Sequence, residues 1–134
     1  MSESNRQLAR DFLDAVSSGE LSDSLLTDDM TAWTTMGGDT DKAHYQDMVR
    51  VLRMVCAQPI EFTIHAMTSE DDRVAVEATS QATLINGEPY SNTYVFILRV
   101  REGRIRAIAE HFNSLIVTDT LLPVMETLMP SQAR

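Results

Sequence analysis

The sequence predicts an α+β fold in which helices cover one face of a curved antiparallel sheet. Residues 73–114 contain runs of alternating apolar and polar side chains and two tight turns, Asn86-Gly87 and Glu102-Gly103. Asn-Gly between alternating runs is a strong hairpin signal because both residues tolerate the positive φ of a type I′ turn. Before this stretch, apolar residues recur at helical spacing. Helices grouped before a run of strands are typical of the α+β class.

Three helices are predicted in the first half of the chain. Capping-box spacing at Ser4 and a C-cap glycine, Gly19, indicate a first helix over residues 5–18. A short second helix is expected with Ser22 or Asp23 as its cap. The third is expected from about residue 41, where an apolar stripe begins that continues until Pro59.

The remaining segments read as strands and a tail. Residues 30–36 are rich in threonine and predict a short strand. Over residues 60–68 the apolar period becomes two, so one long strand is expected there and three more in residues 73–114. Residues 118–129 form an apolar tail with a short helix at 123–128. We expect a single domain over residues 1–134.

Composition excludes several function classes. The net charge of −9 argues against nucleic acid binding, which needs clustered Lys and Arg. A single cysteine, Cys56, excludes an intrachain disulfide and fits a reducing cytosol. No signal-peptide core or membrane-span window is found. A cytoplasmic protein without membrane contact is therefore expected.

The strand around residues 94–98 predicts an oligomer. Its sequence, Tyr-Val-Phe-Ile-Leu, is apolar without alternation, so both of its faces need cover. The chain's own helices cover one face only. A homodimer through the outer sheet face is the expected completion.

Four segments carry a family resemblance: 73–77, 86–96, 101–105 and 110–113. They resemble the nuclear transport factor 2-like superfamily, within it the SnoaL-like or ketosteroid isomerase-like bacterial proteins, and the likeness covers nearly the whole chain. The resemblance implies a cone-shaped domain, often dimeric, with a pocket between the helices and the concave sheet face. Members include isomerases, dehydratases, cyclases and epoxide hydrolases as well as binding modules, since fold does not imply function.

Strand side chains on one face repeat every second residue, so each strand has two possible inner faces. Similarity to the pocket-lining positions of the family's epoxide hydrolases implies which of the two faces the pocket. The expected pocket is mostly apolar with a few convergent polar groups, as in small-molecule sites. Its expected lining is Trp33, Thr35, Glu77, Thr79, Gln81, Asn92, Tyr94, Phe96, Leu98, Ile108, Glu110 and Phe112.

Glu110 and Glu77 are the leading catalytic candidates. Two carboxylates in an apolar pocket disfavour double ionisation, so one could act as acid and the other as base; alternatively, Glu77 points to solvent or pairs with an arginine. Tyr94 is either a donor to a substrate oxygen or a buried tyrosine with a satisfied hydroxyl. Asn92 either orients a substrate carbonyl or closes the hairpin.

The histidines are not spaced as a metal site, and we expect neither a metal nor a cofactor. His65 is expected at the solvent or the dimer interface, and His111 outside the pocket. Residues 33–36 (Trp-Thr-Thr-Met) carry no acid where ketosteroid isomerases have a catalytic Asp. The Asp–Arg–Asp positions of the epoxide hydrolases correspond to Thr79, Glu77 and Glu110.

The leading functional hypothesis is cofactor-free acid/base proton transfer on a small apolar carbonyl or cyclic substrate. It places Glu110 and Glu77 as acid and base, with Tyr94 and Asn92 orienting the substrate. The alternatives are a non-catalytic ligand-binding or assembly module, or an epoxide hydrolase with an altered acid set.

Overall fold

The computed structural model describes residues 2–128. Two long helices and six strands carry the fold, followed by a C-terminal helical segment. The helices are α1 (Ser2–Ser18), α2 (Lys42–Val55), α3 (Ser114–Ile116) and α4 (Leu122–Leu128), with a 3₁₀ turn at Asp23–Leu25 and a π-helical turn at Val117–Leu121. The strands are β1 (Leu26–Thr34), β2 (Gly38–Asp41), β3 (Glu61–Glu70), β4 (Arg73–Thr83), β5 (Pro89–Arg101) and β6 (Arg104–Phe112).

All six strands form one sheet in the order β2-β1-β6-β5-β4-β3. The meander β3–β6 is antiparallel, and β1 joins its β6 edge in parallel. Strand β2 is not predicted by the sequence, because Gly37-Gly38 indicates the end of a strand; it folds back antiparallel on β1. The expected count of three N-terminal helices is not exact, because the second is only the 3₁₀ turn, capped by Ser22.

The two N-terminal helices pack on one face of the sheet, here called the inner face. Phe12 of α1 contacts both Tyr45 of α2 and Phe96 of β5, with ring centroids 6.5 and 5.6 Å apart. Helix α2 begins where the Asp41 side chain accepts a hydrogen bond from the His44 N–H. Helix α1 ends at Gly19, which has a φ of +87° and lies against Arg53 of α2. This contact fixes how the two helices lie beside each other.

A second cluster closes the far end of the sheet. The end of α2, the β4–β5 hairpin and the C-terminal segment share buried side chains there. These are Val55, Cys56, Ile60, Leu84, Tyr90, Val117, Leu121 and Val124. The expected short C-terminal helix corresponds to α4, except for Met129, which lies outside the described residues. The inner face is thus enclosed by α1, α2 and the C-terminal segment.

Candidate functional site

Strand β4 turns its small apolar side chains inward. Val74, Val76, Ala78 and Ser80 are buried, and the residues between them are more exposed. Glu77 is exposed and lies opposite Val95, an outward residue of β5. The inward placement of Glu77, Thr79 and Gln81 is therefore wrong, because burying valine and alanine is more favourable than burying their polar neighbours.

Strand β1 shows the same reversal. Met30, Ala32 and Thr34 are buried, whereas Trp33 faces outward and stacks on His111 with ring centroids 4.8 Å apart. Thr35 is exposed, and its hydroxyl accepts a hydrogen bond from the Phe112 N–H. The expected position of Trp33 and Thr35 at the pocket floor is wrong; Trp33 packs on the outer face and Thr35 ties the strand ends together.

The inner face does carry the predicted residues of β5 and β6. These are Asn92, Tyr94, Phe96, Leu98, Ile108, Glu110 and Phe112. In the register, Tyr94 pairs with Phe112, Phe96 with Glu110 and Leu98 with Ile108. Aromatic rings dominate: Tyr94 stacks on Phe96 at 5.3 Å, and Phe62 of β3 approaches both edge-on at 5.5 and 6.0 Å. This leaves Glu110 as a carboxyl group on a largely apolar face.

Glu110 meets Tyr45 across the interior. The Tyr45 hydroxyl donates a 2.7 Å hydrogen bond to Oε1 of Glu110. Burial raises the pKa of Glu110 above its usual value, and the hydrogen bond from Tyr45 opposes part of that rise. Burial, with the nearby Glu110 charge, also raises the pKa of Tyr45 well above its ordinary value, so Tyr45 remains a proton donor. A carboxyl group of raised pKa and a neutral phenol thus share one hydrogen bond on the inner face.

A second polar group on the inner face is an array of three hydroxyls, here called the hydroxyl array: Ser80, Tyr90 and Tyr94. The Tyr94 hydroxyl lies 2.9 Å from Ser80 Oγ and 3.3 Å from the Tyr90 hydroxyl. Asn92 adds two donors, its N–H to Ser80 Oγ at 3.2 Å and its amide to the Tyr90 oxygen at 3.1 Å. Burial raises the pKa of both tyrosines, so both phenols keep their protons.

The hydroxyl array has one more hydroxyl proton than it has hydrogen bonds between its hydroxyls. Its three hydroxyls carry three protons but share only two hydroxyl–hydroxyl contacts. Asn92 provides no acceptor, since its Oδ1 already accepts from the N–H groups of Thr93 and Asn113. Among the described residues one hydroxyl proton of the array is therefore free for an external acceptor oxygen.

The hydrogen bonds of Asn92 indicate a structural role rather than an amide that orients a substrate carbonyl. Its amide donates to the carbonyl of Asn113 at 3.1 Å, and its oxygen accepts from the Asn113 N–H at 3.2 Å. These bonds fasten β5 to the end of β6, where the Asn113 side chain caps α3. Asn92 thus positions the strands rather than presenting a free amide.

The outer face carries an open depression of about 630 Å³. His65, Glu77, Thr79, Val95 and His111 are among its lining residues. His65 is the extra residue where the β3–β4 register shifts, and its Nε2 lies 2.9 Å from the Thr79 hydroxyl. Both histidines therefore lie on the face opposite Glu110.

Within residues 2–128, no group of three or more His, Cys, Asp or Glu side chains is placed to hold a metal ion. None of the helices described there has the length and apolar character that a membrane crossing requires. Tyr45 is the site residue that sequence reasoning assigned to packing alone. Its position in the apolar stripe of α2 gave no separate signal for its hydroxyl.

Known proteins are similar to this chain in sequence pattern and in fold. The model of the SnoaL-like domain matches residues 9–108. PrhC from Penicillium brasilianum is 19% identical, with 98% of this chain and 93% of that chain covered and a TM-score of 0.80. An NTF2-like protein from Anabaena variabilis is 22% identical, with 84% and 92% covered and a TM-score of 0.74.

An LEH-like epoxide hydrolase of M. tuberculosis is 17% identical, with 95% of this chain and 96% of that chain covered and a TM-score of 0.73. No curated protein matches significantly. The solved structures establish a shared fold, and the domain match extends over most of the chain. The chain therefore belongs to the SnoaL-like domain family and shares its fold with an NTF2-like protein.

Proposed function

We propose that the chain is a small-molecule enzyme that moves a proton on a small, largely apolar carbonyl or cyclic substrate, with Glu110 as its acid/base. The observation that carries this proposal is Glu110 itself, a carboxyl group of raised pKa on an aromatic inner face. A carboxyl whose pKa rises towards neutrality is suited to both taking up and returning a proton. No cofactor is part of the proposal.

In the proposed reaction the Glu110 carboxylate takes a proton from the carbon beside the substrate carbonyl. The electron pair of that C–H bond moves onto the carbonyl oxygen, and an enolate forms. Glu110 then returns the proton to the same carbon or to a conjugated one. Tyr45 is the positioning residue, since its hydrogen bond orients the carboxyl group and tempers its basicity.

The free proton of the hydroxyl array supports the same reaction. A developing enolate oxygen is stabilised most by donors that are already in place and shielded from water. Tyr94, at the centre of the array, is buried and lies two residues along β5 from Phe96, the partner of Glu110 in the register. Donor and base thus share one face, whereas Glu77 lies on the other face and has no part in the reaction.

A panel assay tests this proposal. Cyclic ketones in D₂O report α-proton exchange by NMR, β,γ-unsaturated ketones report conjugation by absorbance, and epoxides report ring opening. We expect exchange or isomerisation with the wild-type chain and a loss of about 10²–10⁴-fold in Glu110→Gln. Glu88→Gln, an exposed carboxylate in the β4–β5 turn, is the matched control and should keep full activity.

The panel also separates the alternatives. Epoxide opening that depends on Glu110, without ketone exchange, would favour the hydrolase with an altered acid set. Binding of panel compounds without any turnover would favour the ligand-binding module. In that case Glu110→Gln should retain binding, because no proton needs to move.

A further inference from the structure

We infer that a cleft between helix α1 and strand β3 is the entrance through which a small apolar ketone reaches the inner face, and that Phe62 is the side chain that closes this entrance and limits the size of the ketone. The inference rests on the proposed function, since it concerns the route to Glu110. It adds a specificity-determining residue that the proton transfer itself does not use.

The cleft lies at one edge of the sheet, where α1 lies over β3. It has a volume of about 210 Å³. A cavity of about 150 Å³ is sufficient to hold benzene, so the cleft has room for a single six-membered ring. Four residues of α1 at helical spacing form one wall and two residues of β3 form the other: Arg10, Leu13, Asp14 and Ser17, with Phe62 and Ile64.

Ile64 shows that the helices leave the inner face open at this point. It pairs with the buried Ala78 of β4, so its side chain is on the inner face of the sheet. Nevertheless Ile64 is 37% exposed, whereas Leu98 and Ile108 on the same face are 0% and 2% exposed. The apolar inner surface is therefore continuous with solvent at the cleft.

Phe62 lies between this cleft and the polar groups of the inner face. In the β3–β4 register it is opposite Ser80, a member of the hydroxyl array. Its ring approaches Tyr94 and Phe96 edge-on, at 5.5 and 6.0 Å, and Phe96 is the register partner of Glu110. A molecule that enters from the β3 edge therefore meets Phe62 first, the hydroxyl array next and Glu110 last.

The ring of Phe62 is free to move more than the rings around it. Among the described strands β4 is the only neighbour of β3, and Phe62 is only partly buried. The β3–β4 register shifts three residues later, at His65, and such a bulge bends the strand. Side chains that are not fully buried change rotamer quickly. Rotation of the ring into the cleft would vacate space beside Tyr94.

The helix itself is held in place. Ser17 Oγ donates a hydrogen bond to the carbonyl of Ile60, just before β3. Gly19, directly after α1, lies against Arg53 of α2. These contacts fasten the end of α1 to both of its neighbours. We therefore assign the opening of the cleft to the side chain of Phe62 and not to a movement of α1.

The lining of the cleft fits a neutral apolar molecule. Its charged residues are Arg10 and Asp14, one of each sign, so the cleft does not favour an ion of either sign. The other wall is formed by Phe62 and Ile64, and Leu13 adds a third apolar side chain. A ketone without charged groups passes such walls at the lowest cost of desolvation.

Binding of two ketones, cyclohexanone and the bicyclic 2-decalone, tests the role of Phe62 by methyl NMR. The titrations use the Glu110→Gln background, in which binding is measured without the proposed proton transfer. Phe62→Ala should tighten the binding of 2-decalone relative to cyclohexanone by roughly tenfold or more, and Phe62→Leu should do so to a smaller extent. The Ile108 methyl signals should shift with either ketone, because Ile108 lies on the inner face.

Ile85→Ala removes an exposed apolar side chain in the β4–β5 hairpin and should leave the relative affinity for the two ketones unchanged. Circular dichroism of each variant checks that the fold is retained, and Phe62→Leu provides the result if Phe62→Ala does not fold.

A covalent plug tests the route. Asp14→Cys labelled with benzyl methanethiosulfonate places a ring at the cleft and should slow the association of cyclohexanone, measured by NMR line shapes, by about tenfold or more. Asp11→Cys with the same label is the matched control, because Asp11 is exposed on α1 and does not line the cleft. Mass spectrometry verifies a single label, since the native Cys56 is buried.

The inference would be overturned by an unchanged relative affinity in the Phe62 variants, by equal slowing with the two labels, or by binding that leaves the Ile108 signals in place. Failure of either ketone to bind would overturn it as well. The proposed function fails separately. A wild-type chain that binds ketones through the cleft but exchanges no proton would contradict the role of Glu110 and support the entrance. Turnover that is insensitive to Phe62 and to the plug would do the reverse.

Discussion

Tyr45 and Glu110 form a 2.7 Å hydrogen bond between the first turn of α2 and the strand β6. The phenol donates and the carboxyl accepts, on a face otherwise lined by aromatic rings. A carboxylate is usually hydrogen-bonded to water, whereas Glu110 accepts a hydrogen bond from the Tyr45 phenol. The protonation of Glu110 is therefore coupled to the stability of the fold.

The first prediction concerns stability against pH. Because the folded-state pKa of Glu110 is raised, its contribution to the free energy of unfolding is fully present below the unfolded value of about 4.3. That contribution is lost as the pH rises through the folded value. Glu110→Gln has no proton to lose there. The free energy of unfolding of the variant, relative to that of the wild type, should therefore increase between pH 4 and pH 8.

Urea denaturation at several pH values measures this gain. It should amount to about 1.4 kcal/mol for each unit by which the folded pKa exceeds the unfolded one. Equal m-values in the two proteins show that the surface exposed on unfolding is the same. A difference that stays constant from pH 4 to pH 8 would contradict the raised pKa of Glu110.

The second prediction concerns Tyr45→Phe. Burial raises the pKa of Glu110 and the Tyr45 hydroxyl lowers it, so removing the hydroxyl should raise that pKa further. Carboxyl ¹³C NMR measures the titration, with the Glu110 signal assigned by its loss in Glu110→Gln. Phenylalanine keeps the stacking against Phe12, which serves as the internal control for packing. A Glu110 pKa that stays or falls would show that the hydrogen bond does not hold in solution.

The third prediction concerns the hydroxyl array. Tyr94→Phe and Ser80→Ala each remove one partner of a buried hydrogen bond, and each should cost about 1–2 kcal/mol of unfolding free energy. Since they share that bond, the double variant should cost less than the sum, with a coupling of about 1 kcal/mol. Ser18→Ala, at an exposed site distant from the array, should add to Tyr94→Phe without coupling. Strict additivity of the Tyr94 and Ser80 changes would contradict the array.

The fourth prediction compares two glycines. Gly19 and Gly103 both have positive φ, +87° and +80°, so alanine is strained at either position. At Gly19 an added Cβ would also lie 2.5 Å from the Cβ of Arg53, whereas the space at Gly103 is open. Thermal unfolding should therefore show a larger loss for Gly19→Ala than for Gly103→Ala, which should lose about 1–2 kcal/mol. Equal losses would mean that α1 and α2 can separate at no cost.

Local signals predicted much of the fold. The apolar stripe that begins near residue 41 predicted α2, and the two predicted hairpin turns are present with glycines at φ of +90° and +80°. The strand β1 was predicted to start at residue 30 but begins at Leu26. Its pairing is with β6, far away in the sequence. A parallel partner at that distance leaves no trace in a local window, so the early start of β1 was missed. Strand β2 was missed for another reason, because Gly37-Gly38 indicates the end of a strand.

The inner residues of β5 and β6 were predicted from the sequence, whereas those of β4 were not. On β5 and β6 the alternation of large apolar residues agrees with the resemblance, and those residues lie inside. On β4 the apolar alternation and the resemblance disagreed, because the buried Val74 and Val76 alternate with Glu77. The positions carried over from relatives placed the carboxylate inside, and hydrophobic burial placed the valines there instead. The alternation of valines was the better guide.

The parallel pairing of β1 with β6 has a consequence for how the chain folds. The Thr35 N–H bonds to the carbonyl of Glu110, 75 residues later, at 3.1 Å, while the strands β3–β6 pair with sequence neighbours. Closing a long loop carries an entropic cost that neighbouring hairpins avoid, so we expect the meander to form first and β1 to dock late. On a ribosome, β1 can pair early with β2, but its other edge meets β6 only after β6 has been synthesised. We therefore expect the β1 side of Glu110, where it pairs with Thr34, to be closed in a late step of folding.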